Sequence, residues 1–506
     1  MAKSILSNWG TFVFSAGINF VLSPIVVRAL GETQYGAWFL LSSVVGYLGL
    51  LDLGVRSAVT RYMARFYAAG DHSSANRLYS AAFRIFSVGG VLAILIASVM
   101  ALVLDRVFKI PPELFHVARI VTVLSGVSVG LSLVSGVFGG VLIGLERFDY
   151  SNAIEIGVSA ARAVAIVVAL RSGYGLIALA VLQIAATLAR ALATVFYTRR
   201  LYPQLDIVPR TWDRESSRLI FGFGLTASLL HVTSSLMLYS DSLVIGAFLP
   251  IGMVTYFAIA GNLSEYARAV VSGISQTLTP RISALQAGGE DSALQSAVLT
   301  SARLASLVVL PIAATFMVRG SSFVGLWMGP EYAHLAGQVL LALSFTLVTI
   351  GGYQVVAAAM FGISKHGGLI PIFIGEAVAN LILSILLVRA YGVIGTALGT
   401  MIPRLIVSAV IGPWYVRRTL GISLRTFWVS VFLKPILGIL PFAAASYLVE
   451  RAWAPHNIFV FFAQVAALLP IAAISAWFVC LQERERTALR RYLGRKRPAL
   501  EQPKID

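Results

Sequence analysis

The sequence predicts an all-α, polytopic membrane protein, and three observations lead to that prediction. Hydrophobic residues make up 58% of the 506 residues and charged residues only 12%, whereas soluble domains carry about a quarter charged residues. Apolar stretches long enough to cross a hydrocarbon layer of ~30 Å as helices recur about fourteen times. The chain also resembles itself at an offset of about 218 residues.

The predicted transmembrane helices follow one another with short connections. The first has a weakly charged start and a longer apolar core than a cleavable signal, so we expect it to remain as a helix. Loops this short leave no room for an extramembrane catalytic domain. The apolar stretches run approximately over 5–30, 37–62, 78–104, 115–145, 152–170, 176–197, 219–249, 253–280, 293–318, 333–361, 369–388, 393–416, 428–449 and 459–480.

The internal repeat predicts how these helices are grouped. The connector LRSGYGLIALA from Leu170 matches LVRAYGVIGTA from Leu387, and each match predicts a chain reversal at Tyr-Gly. Chance similarity among apolar segments is the alternative, but polar connectors match as well. Six helices per repeat give parallel halves with a cavity between them. We predict a six-helix bundle at 1–200, a cytoplasmic linker at 201–218, a second six-helix bundle at 219–418, two additional transmembrane helices at 427–481 and a basic cytoplasmic tail at 482–506.

The net charge of +17 is explained by orientation in the membrane. Lys and Arg fall mainly in alternate loops, which is the positive-inside pattern. It places both termini in the cytoplasm and leaves few basic residues, Arg319 among them, in the opposite loops. A topogenic role for the basic tail is favoured over lipid binding. We expect no nucleic acid partner.

Charged side chains inside the predicted helices are the candidate functional residues. Each costs roughly 2.5–3.5 kcal/mol if it meets lipid, so each should face protein or water. Asp52 with Arg56, and Glu265 with Arg268, stand one turn apart and could pair locally. Candidate substrate-pathway residues are Arg56, Arg162, Arg190, Arg268 and Arg404, and candidate charge partners or coupling groups are Asp52, His231, Asp241, Glu265 and Glu376.

Three of these arginines, Arg162, Arg190 and Arg404, have no acidic residue three or four positions away on their own helix. A guanidinium stays charged and its planar fork suits phosphate. They predict a basic cavity for an anionic head group, although pairing with Asp241 or Glu376 on another helix is the alternative.

Two other polar residues lie on the seventh predicted helix. His231 could couple protons, but a hydrogen-bonded packing role is favoured. Asp241 lies toward the outer end, where solvation is the simplest expectation.

The sequence contains no enzyme signature. It has no phosphate-binding loop, no H-E-x-x-H, no G-x-S-x-G and no metal-spaced cluster. Its single cysteine, Cys480, excludes an intramolecular disulfide. We therefore expect no catalysis and no cofactor.

Three segments carry recognisable motifs. The first is RALGETQYGAWFLLSSVVGYLGLLDLGVRSAVTRYMAR from Arg28, with motif residues Leu30, Gly31, Tyr35, Gly36 and Trp38, then Asp52, Leu53, Gly54, Ala58 and Arg61. The second is YSDSLVIGAFLPIGMVTYFAIA from Tyr239, with motif residues Asp241, Ile245, Gly246 and Tyr256, and the third is GEAVANLILSILLVRAYGVIGTALGT from Gly375. Together they resemble the polysaccharide-export (O-antigen flippase) branch of the MATE-related multidrug/oligosaccharidyl-lipid/polysaccharide exporter superfamily. The second segment departs from that family's pattern at Val254, Thr255 and Ile259.

The resemblance implies a flippase in the bacterial inner membrane. Its cargo would be a polyprenyl-pyrophosphate-linked oligosaccharide, specifically one on undecaprenyl, moved by alternating access to feed O-antigen, capsule or exopolysaccharide assembly. Implied partners are membrane lipid and a polysaccharide polymerase or chain-length machinery.

Two alternatives compete with the flippase. A cation-coupled exporter of small amphipathic compounds would have acidic groups at its cavity centre, and such exporters commonly carry an acid in the first helix, which this chain lacks. A membrane-embedded polymerase or ligase would present a large outer loop, which the sequence does not contain.

Overall fold

The computed structural model describes residues 2–206, 213–276, 278–481, 483 and 485–487. The middle of the predicted linker and nearly all of the predicted basic tail lie outside the described residues. Within the described ranges every regular element is a helix, which confirms the all-α fold class. The helices in the first part of the chain are α1 (Ala2–Gly46), α2 (Val55–Ala68), α3 (His72–Val107), α4 (Phe115–Gly144), α5 (Phe148–Arg171), α6 (Leu176–Leu201), α7 (Arg214–Phe248) and α8 (Met253–Gln276).

The second part of the chain continues the same pattern. Short 3₁₀ turns occupy Tyr47–Asp52, Pro112–Leu114 and His366–Leu369, and π-helical turns occupy Val407–Ile411 and Trp428–Leu433. The helices are α9 (Thr279–Ala287), α10 (Asp291–Trp327), α11 (Pro330–Gly362), α12 (Ile370–Ile406), α13 (Gly412–Leu420), α14 (Leu424–Phe427), α15 (Lys434–Ala452) and α16 (Ile458–Val479).

Ten helical segments within the described residues are long and apolar enough to cross a membrane. Two of them, 60 and 55 residues long, are too long for one crossing, which needs about 20 residues. Each contains a glycine in the left-handed region, Gly31 (φ 73°) and Gly392 (φ 58°). The chain is a multi-pass membrane protein, and the number of about fourteen crossings stays a prediction.

The predicted chain reversal at Tyr391-Gly392 is present within α12. Ser384 donates to the carbonyl of Thr396, Asn380 donates to Thr400, and Glu376 pairs with Arg404. From one contact to the next, the residue before the break lies four positions earlier and the residue after it four positions later. This pattern is that of two antiparallel helical arms. The matching reversal lies between α5 and α6, where Gly173 has φ 81°.

Two compact units are formed by the chain, and each has its own core. The first comprises 1–266, 327–343 and 367–404, and the second comprises 267–326, 344–366 and 405–506. The first unit's core joins α2, α3 and α4 and includes Val55, Tyr79 and Val137, all fully buried. This division into two units does not test the pair of six-helix bundles, which stays a prediction.

Small residues bring α3 and α4 into close contact in the first unit. A Cβ at Gly130 would lie 2.8 Å from the carbonyl oxygen of Gly90, and a Cβ at Gly126 would collide with Ala97. Apolar surface cannot drive association between helices in lipid, so close backbone approach through small residues supplies the packing energy.

Two fully buried arginines on α10 form ion pairs with residues in the C-terminal part of the second unit. Arg319 donates from Nε to Glu450 Oε2 at 2.5 Å, hydrogen-bonds Gln464 and lies over the ring of Phe461. Arg303 donates to Ser430 and pairs with Glu485. The placement of Arg319 in a loop was wrong, because α10 continues to Trp327 and the guanidinium finds acceptors inside the protein.

The close approach of α3 and α4 predicts a position-specific effect of adding one methyl group. Gly130→Ala should lower the free energy of unfolding by about 1–3 kcal/mol, because overpacking forces the backbones apart. Gly139→Ala is the control on the same helix, since nothing lies within 4 Å of its Cβ. Thermal unfolding of both variants in detergent should separate them, and equal melting temperatures would contradict close packing at Gly130.

The buried Arg319–Glu450 pair predicts a second effect on stability. Glu450→Ala should cost about 3 kcal/mol or more, because it leaves a buried guanidinium without its carboxylate. The neighbouring Arg451 is exposed, so Arg451→Ala should melt like the wild type. Intrinsic tryptophan fluorescence during heating measures both, and an unchanged melting temperature for Glu450→Ala would show that the pair contributes little.

Candidate functional site

A cavity of about 450 Å³ lies between the start of α2, α4 and α7 in the first unit. The chain reaches it through two consecutive left-handed residues, Leu53 (φ 49°) and Gly54 (φ 72°). A Cβ at Gly54 would collide with the backbone of Gly224, which explains the glycine of the D-L-G motif. Polar residues lining the cavity are Asp52, Arg56, Ser57, Ser132, Ser228, His231 and Tyr239.

Asp52 and Arg56 form the local ion pair that their spacing predicts. Arg56 Nε lies 3.4 Å from Asp52 Oδ2, and the backbone N–H of Arg56 donates to Asp52 Oδ1 at 3.3 Å. The side chain of Arg56 is 46% exposed, so water reaches the pair within the cavity. A role in the substrate pathway stays a prediction.

His231 lines the same cavity, and its side chain is exposed. The favoured interpretation as a packing histidine was therefore wrong. Apolar periodicity alone could not show this, because the cavity is formed by residues far apart in the sequence.

Arg162 and Arg190 meet at a second cavity of the first unit, of about 180 Å³, between α1, α5 and α6. Arg190 binds Glu155 through two contacts, Nε to Oε2 at 2.9 Å and Nη2 to Oε1 at 3.1 Å. Arg162 donates to the neutral Gln183. Two guanidinium groups thus share this cavity with one carboxylate, and the cavity keeps a surplus positive charge.

Glu155 was missed as a functional residue by sequence reasoning. It lies near the start of α5 and pairs with an arginine on α6, so no i,i+4 spacing reveals it. Its position inside a predicted helix was the available signal.

Arg404 pairs with Glu376 across the two arms of α12. Arg404 Nε lies 2.6 Å from Glu376 Oε1, and the two side chains are 6% and 1% exposed. The sequence left open whether Arg404 lines a basic cavity or pairs with an acidic residue on another helix, and in the structure it pairs with Glu376. A buried pair of this kind holds the arms together, and removing one partner would strand the other charge.

Asp241 is buried, with 3% exposure, so the expectation of a solvated side chain was wrong. It accepts from Thr400 Oγ1 at 2.6 Å, Ser384 Oγ at 3.2 Å and Asn380 Nδ2 at 3.5 Å. All three donors are neutral and lie on α12. Hydroxyl and amide residues spaced at four along α12 were the sequence signal for this network.

Glu265 and Arg268 stand one turn apart on α8. Glu265 is exposed and Arg268 is partly buried. Their roles in the pathway or in coupling stay predictions.

The resembling motifs of α1 and α8 contact one another in the first unit. Tyr256 donates to Glu32 Oε2 at 2.9 Å, and Thr255 Oγ1 donates to the carbonyl of Glu32 at 2.6 Å. A Cβ at Gly36 would collide with the carbonyl of Ile251. Thr255, one of the departures from the family pattern, therefore supplies a hydroxyl that fastens these two helices.

Comparison with known proteins agrees with this architecture. A family model described as polysaccharide biosynthesis protein matches residues 1–286. The uncharacterized membrane protein EpsK of Bacillus subtilis is 21% identical over 88% of each chain. A protein assigned as a low-salt glycan biosynthesis flippase in Haloferax volcanii is 20% identical, covering 79% of this chain and 80% of its own. A protein assigned as an O-antigen transporter in Shigella flexneri is 22% identical, covering 82% and 98%.

Solved structures show the same fold at low sequence identity. The lipid II flippase MurJ, in an inward closed conformation, aligns with a TM-score of 0.73 at 14% identity over 98% of this chain and 100% of its own. An inward-facing multidrug resistance MATE family transporter of the MOP superfamily aligns with a TM-score of 0.69 at 19% identity over 82% and 95%.

The family and these relatives confirm two predictions from the sequence. The relatives with an assigned role are a flippase and a transporter rather than enzymes, and the matching polysaccharide biosynthesis family agrees with the polysaccharide-export branch to which the motifs pointed. The family model covers more than half of the chain, and the chain belongs to the polysaccharide biosynthesis protein family.

Proposed function

We propose that this protein is a flippase for a polyprenyl-pyrophosphate-linked oligosaccharide in a bacterial inner membrane. The observation that carries the proposal is the surplus positive charge of the cavity that Arg162 and Arg190 line, where Glu155, the partner of Arg190, is the one carboxylate among the lining residues. A guanidinium fork matches a pyrophosphate. The names of the glycan flippase and O-antigen transporter relatives support the same class of cargo.

The cavity of about 450 Å³ between the start of α2, α4 and α7 suits the sugar part of such a cargo. Its lining offers hydroxyls at Ser57, Ser132, Ser228 and Tyr239 together with the Asp52–Arg56 pair. Hydroxyl and charged groups of this kind can exchange hydrogen bonds with sugar hydroxyls in place of water. The polyprenyl chain remains in the lipid and does not contact the polar lining of the cavity.

Alternating access is the mechanism we propose for the movement. The Glu32–Tyr256 and Glu32–Thr255 hydrogen bonds fasten α1 to α8 at one end of the first unit. Breaking these two hydrogen bonds is a small cost for a transporter, about 0.5–3 kcal/mol each. They act as a gate that opens when the cargo leaves.

Asp241 is the coupling group in this proposal. A buried carboxylate without a cationic partner is costly in the membrane, and a proton or a small monovalent cation among the oxygens of Asp241, Thr400 and Ser384 would remove that cost. The bound cation would then favour one arrangement of α7 against α12.

The protein's surroundings follow from the same proposal. Cytoplasmic termini place the basic loops on the side where the lipid-linked cargo is made, and a polysaccharide polymerase or chain-length machinery receives it on the other side. The product would be O-antigen, capsule or exopolysaccharide.

The basic cavity predicts that one arginine on α5 matters for transport and another does not. Arg162→Gln should reduce translocation about tenfold or more, because it removes a charge-assisted contact with phosphate. Arg171, in the last turn of the same helix, is exposed, so Arg171→Gln should transport like the wild type. Proteoliposomes loaded with lipid-linked oligosaccharide, probed with a membrane-impermeant sugar-oxidising reagent, give the rate. Equal rates for both variants would sink the basic-cavity proposal, and export of a cationic dye without glycan movement would favour the drug exporter instead.

Asp241 predicts the dependence on an ion gradient. Asp241→Asn keeps the size of the side chain but should abolish acceleration by an imposed proton or sodium gradient, because the amide cannot bind the cation as a carboxylate does. Asp149→Asn is the control, since that side chain is 64% exposed and pairs with Arg147. Rates measured with and without each gradient test this, and a gradient response retained in Asp241→Asn would rule out Asp241 as the coupling group.

A further inference from the structure

A second basic cavity, of about 670 Å³, lies in the second unit between the start of α10 and the segment leading into α15. Three cationic side chains line it: Arg303 from α10, Arg425 from α14 and Lys434 from α15. Among the described residues that line it there is no carboxylate, although Glu485 accepts from the lining residues Thr300 and Arg303. Five of the lining residues carry hydroxyl groups. These hydroxyls belong to Ser292, Ser296, Thr300, Thr426 and Ser430.

Arg303 is the fixed element of this cavity. It is 1% exposed and donates from Nη1 to Ser430 at 3.3 Å, while Nη2 pairs with Glu485. Its Nε is buried and has no acceptor among the described residues. A buried charged donor without an acceptor is costly, and the guanidinium adds positive charge to the wall of the cavity.

The surrounding residues place the cavity at the level of lipid head groups. Trp428 is 43% exposed beside Arg425, and exposed tryptophans concentrate at membrane interfaces. The helices that form the cavity are also candidate membrane crossings, and the cavity lies at their N-terminal ends.

An exposed apolar stripe begins next to Lys434 and continues along α15. Leu433, Leu437 and Leu440 are 47%, 47% and 52% exposed, and their spacing of four and three places them on one helix face. An acyl chain lying along this face would have its phosphate beside Lys434.

We propose that this cavity, together with the stripe, binds the phosphate group of an anionic membrane phospholipid. Lys434 and Arg425 contact the head group at the rim, the buried Arg303 adds positive charge to the cavity wall, and one acyl chain covers the leucine stripe. Glu485 pairs with Arg303, so this carboxylate offsets part of the positive charge that attracts the phosphate. The site shares no lining residue with the cavities assigned to the flippase cargo.

Native mass spectrometry of the full-length protein in detergent tests the site with two lipids of identical chains, phosphatidylglycerol and phosphatidylcholine. Phosphatidylglycerol should bind preferentially. Replacing both rim cations, Arg425→Ala with Lys434→Ala, should weaken it about 30-fold, since each basic residue near a surface contributes roughly a factor of five. Arg303 is left intact because its removal would disturb folding.

The control removes two exposed cations elsewhere, Arg106 at the end of α3 and Arg451 at the end of α15. Arg106→Ala with Arg451→Ala changes the net charge equally and should bind phosphatidylglycerol like the wild type. Equal loss in both double variants would mean that charge alone attracts the lipid, and the site would be rejected.

Two further measurements distinguish a lipid site from a site that binds any phosphate. Glu485→Gln should strengthen phosphatidylglycerol binding several-fold by removing a negative charge beside the cavity. Because this change breaks the Arg303–Glu485 pair, its melting temperature is measured alongside, and a folded variant without stronger binding would contradict the proposal. Millimolar inorganic phosphate should leave lipid binding unchanged, because it cannot cover the leucine stripe. Displacement of the lipid by inorganic phosphate, or equal binding of the two lipids, would overturn the proposal.

Discussion

A bilayer provides no water to stabilise a charge, and the arrangement of this protein's ionic groups follows from that constraint. Arg303, Arg319 and Arg404 are almost completely buried, and each has a carboxylate partner from a distant part of the chain. Such pairs add little net stability compared with apolar packing, but breaking one is expensive. They therefore determine which helices must stay together.

Charges in the Asp52–Arg56 cavity and in the Arg162–Arg190 cavity of the first unit are arranged differently. Arg56 is nearly half exposed, and Arg162 has a neutral partner in Gln183. These guanidinium groups are hydrated or only partly neutralised, so an anionic cargo gains more from them than from the buried pairs. The contrast separates residues that hold the fold from residues that can bind a substrate.

Glycine permits the backbone arrangement that shapes these cavities. Gly31 and Gly392 interrupt long helices, and Gly54 lets α2 begin against the backbone of α7. Relatives at 20–22% identity align with this chain over 80–98% of their own length. Low identity with a shared fold is expected when lipid-facing positions need only be apolar, whereas breaks and close contacts restrict the residue type.

The sequence by itself determined that the chain is helical, that it crosses the membrane many times and where α12 reverses, because apolar length and glycine are local properties. It also identified most of the charged residues inside the membrane. Only the tertiary structure decided which of them pair. The ion pairs join positions 28 or more residues apart: Glu155 with Arg190, Glu376 with Arg404 and Glu450 with Arg319. The hydrogen bonds from the hydroxyls of α12 to Asp241 also join positions that are distant in the sequence. Helix periodicity describes neighbours on one helix, whereas a partner on another helix depends on how the helices pack.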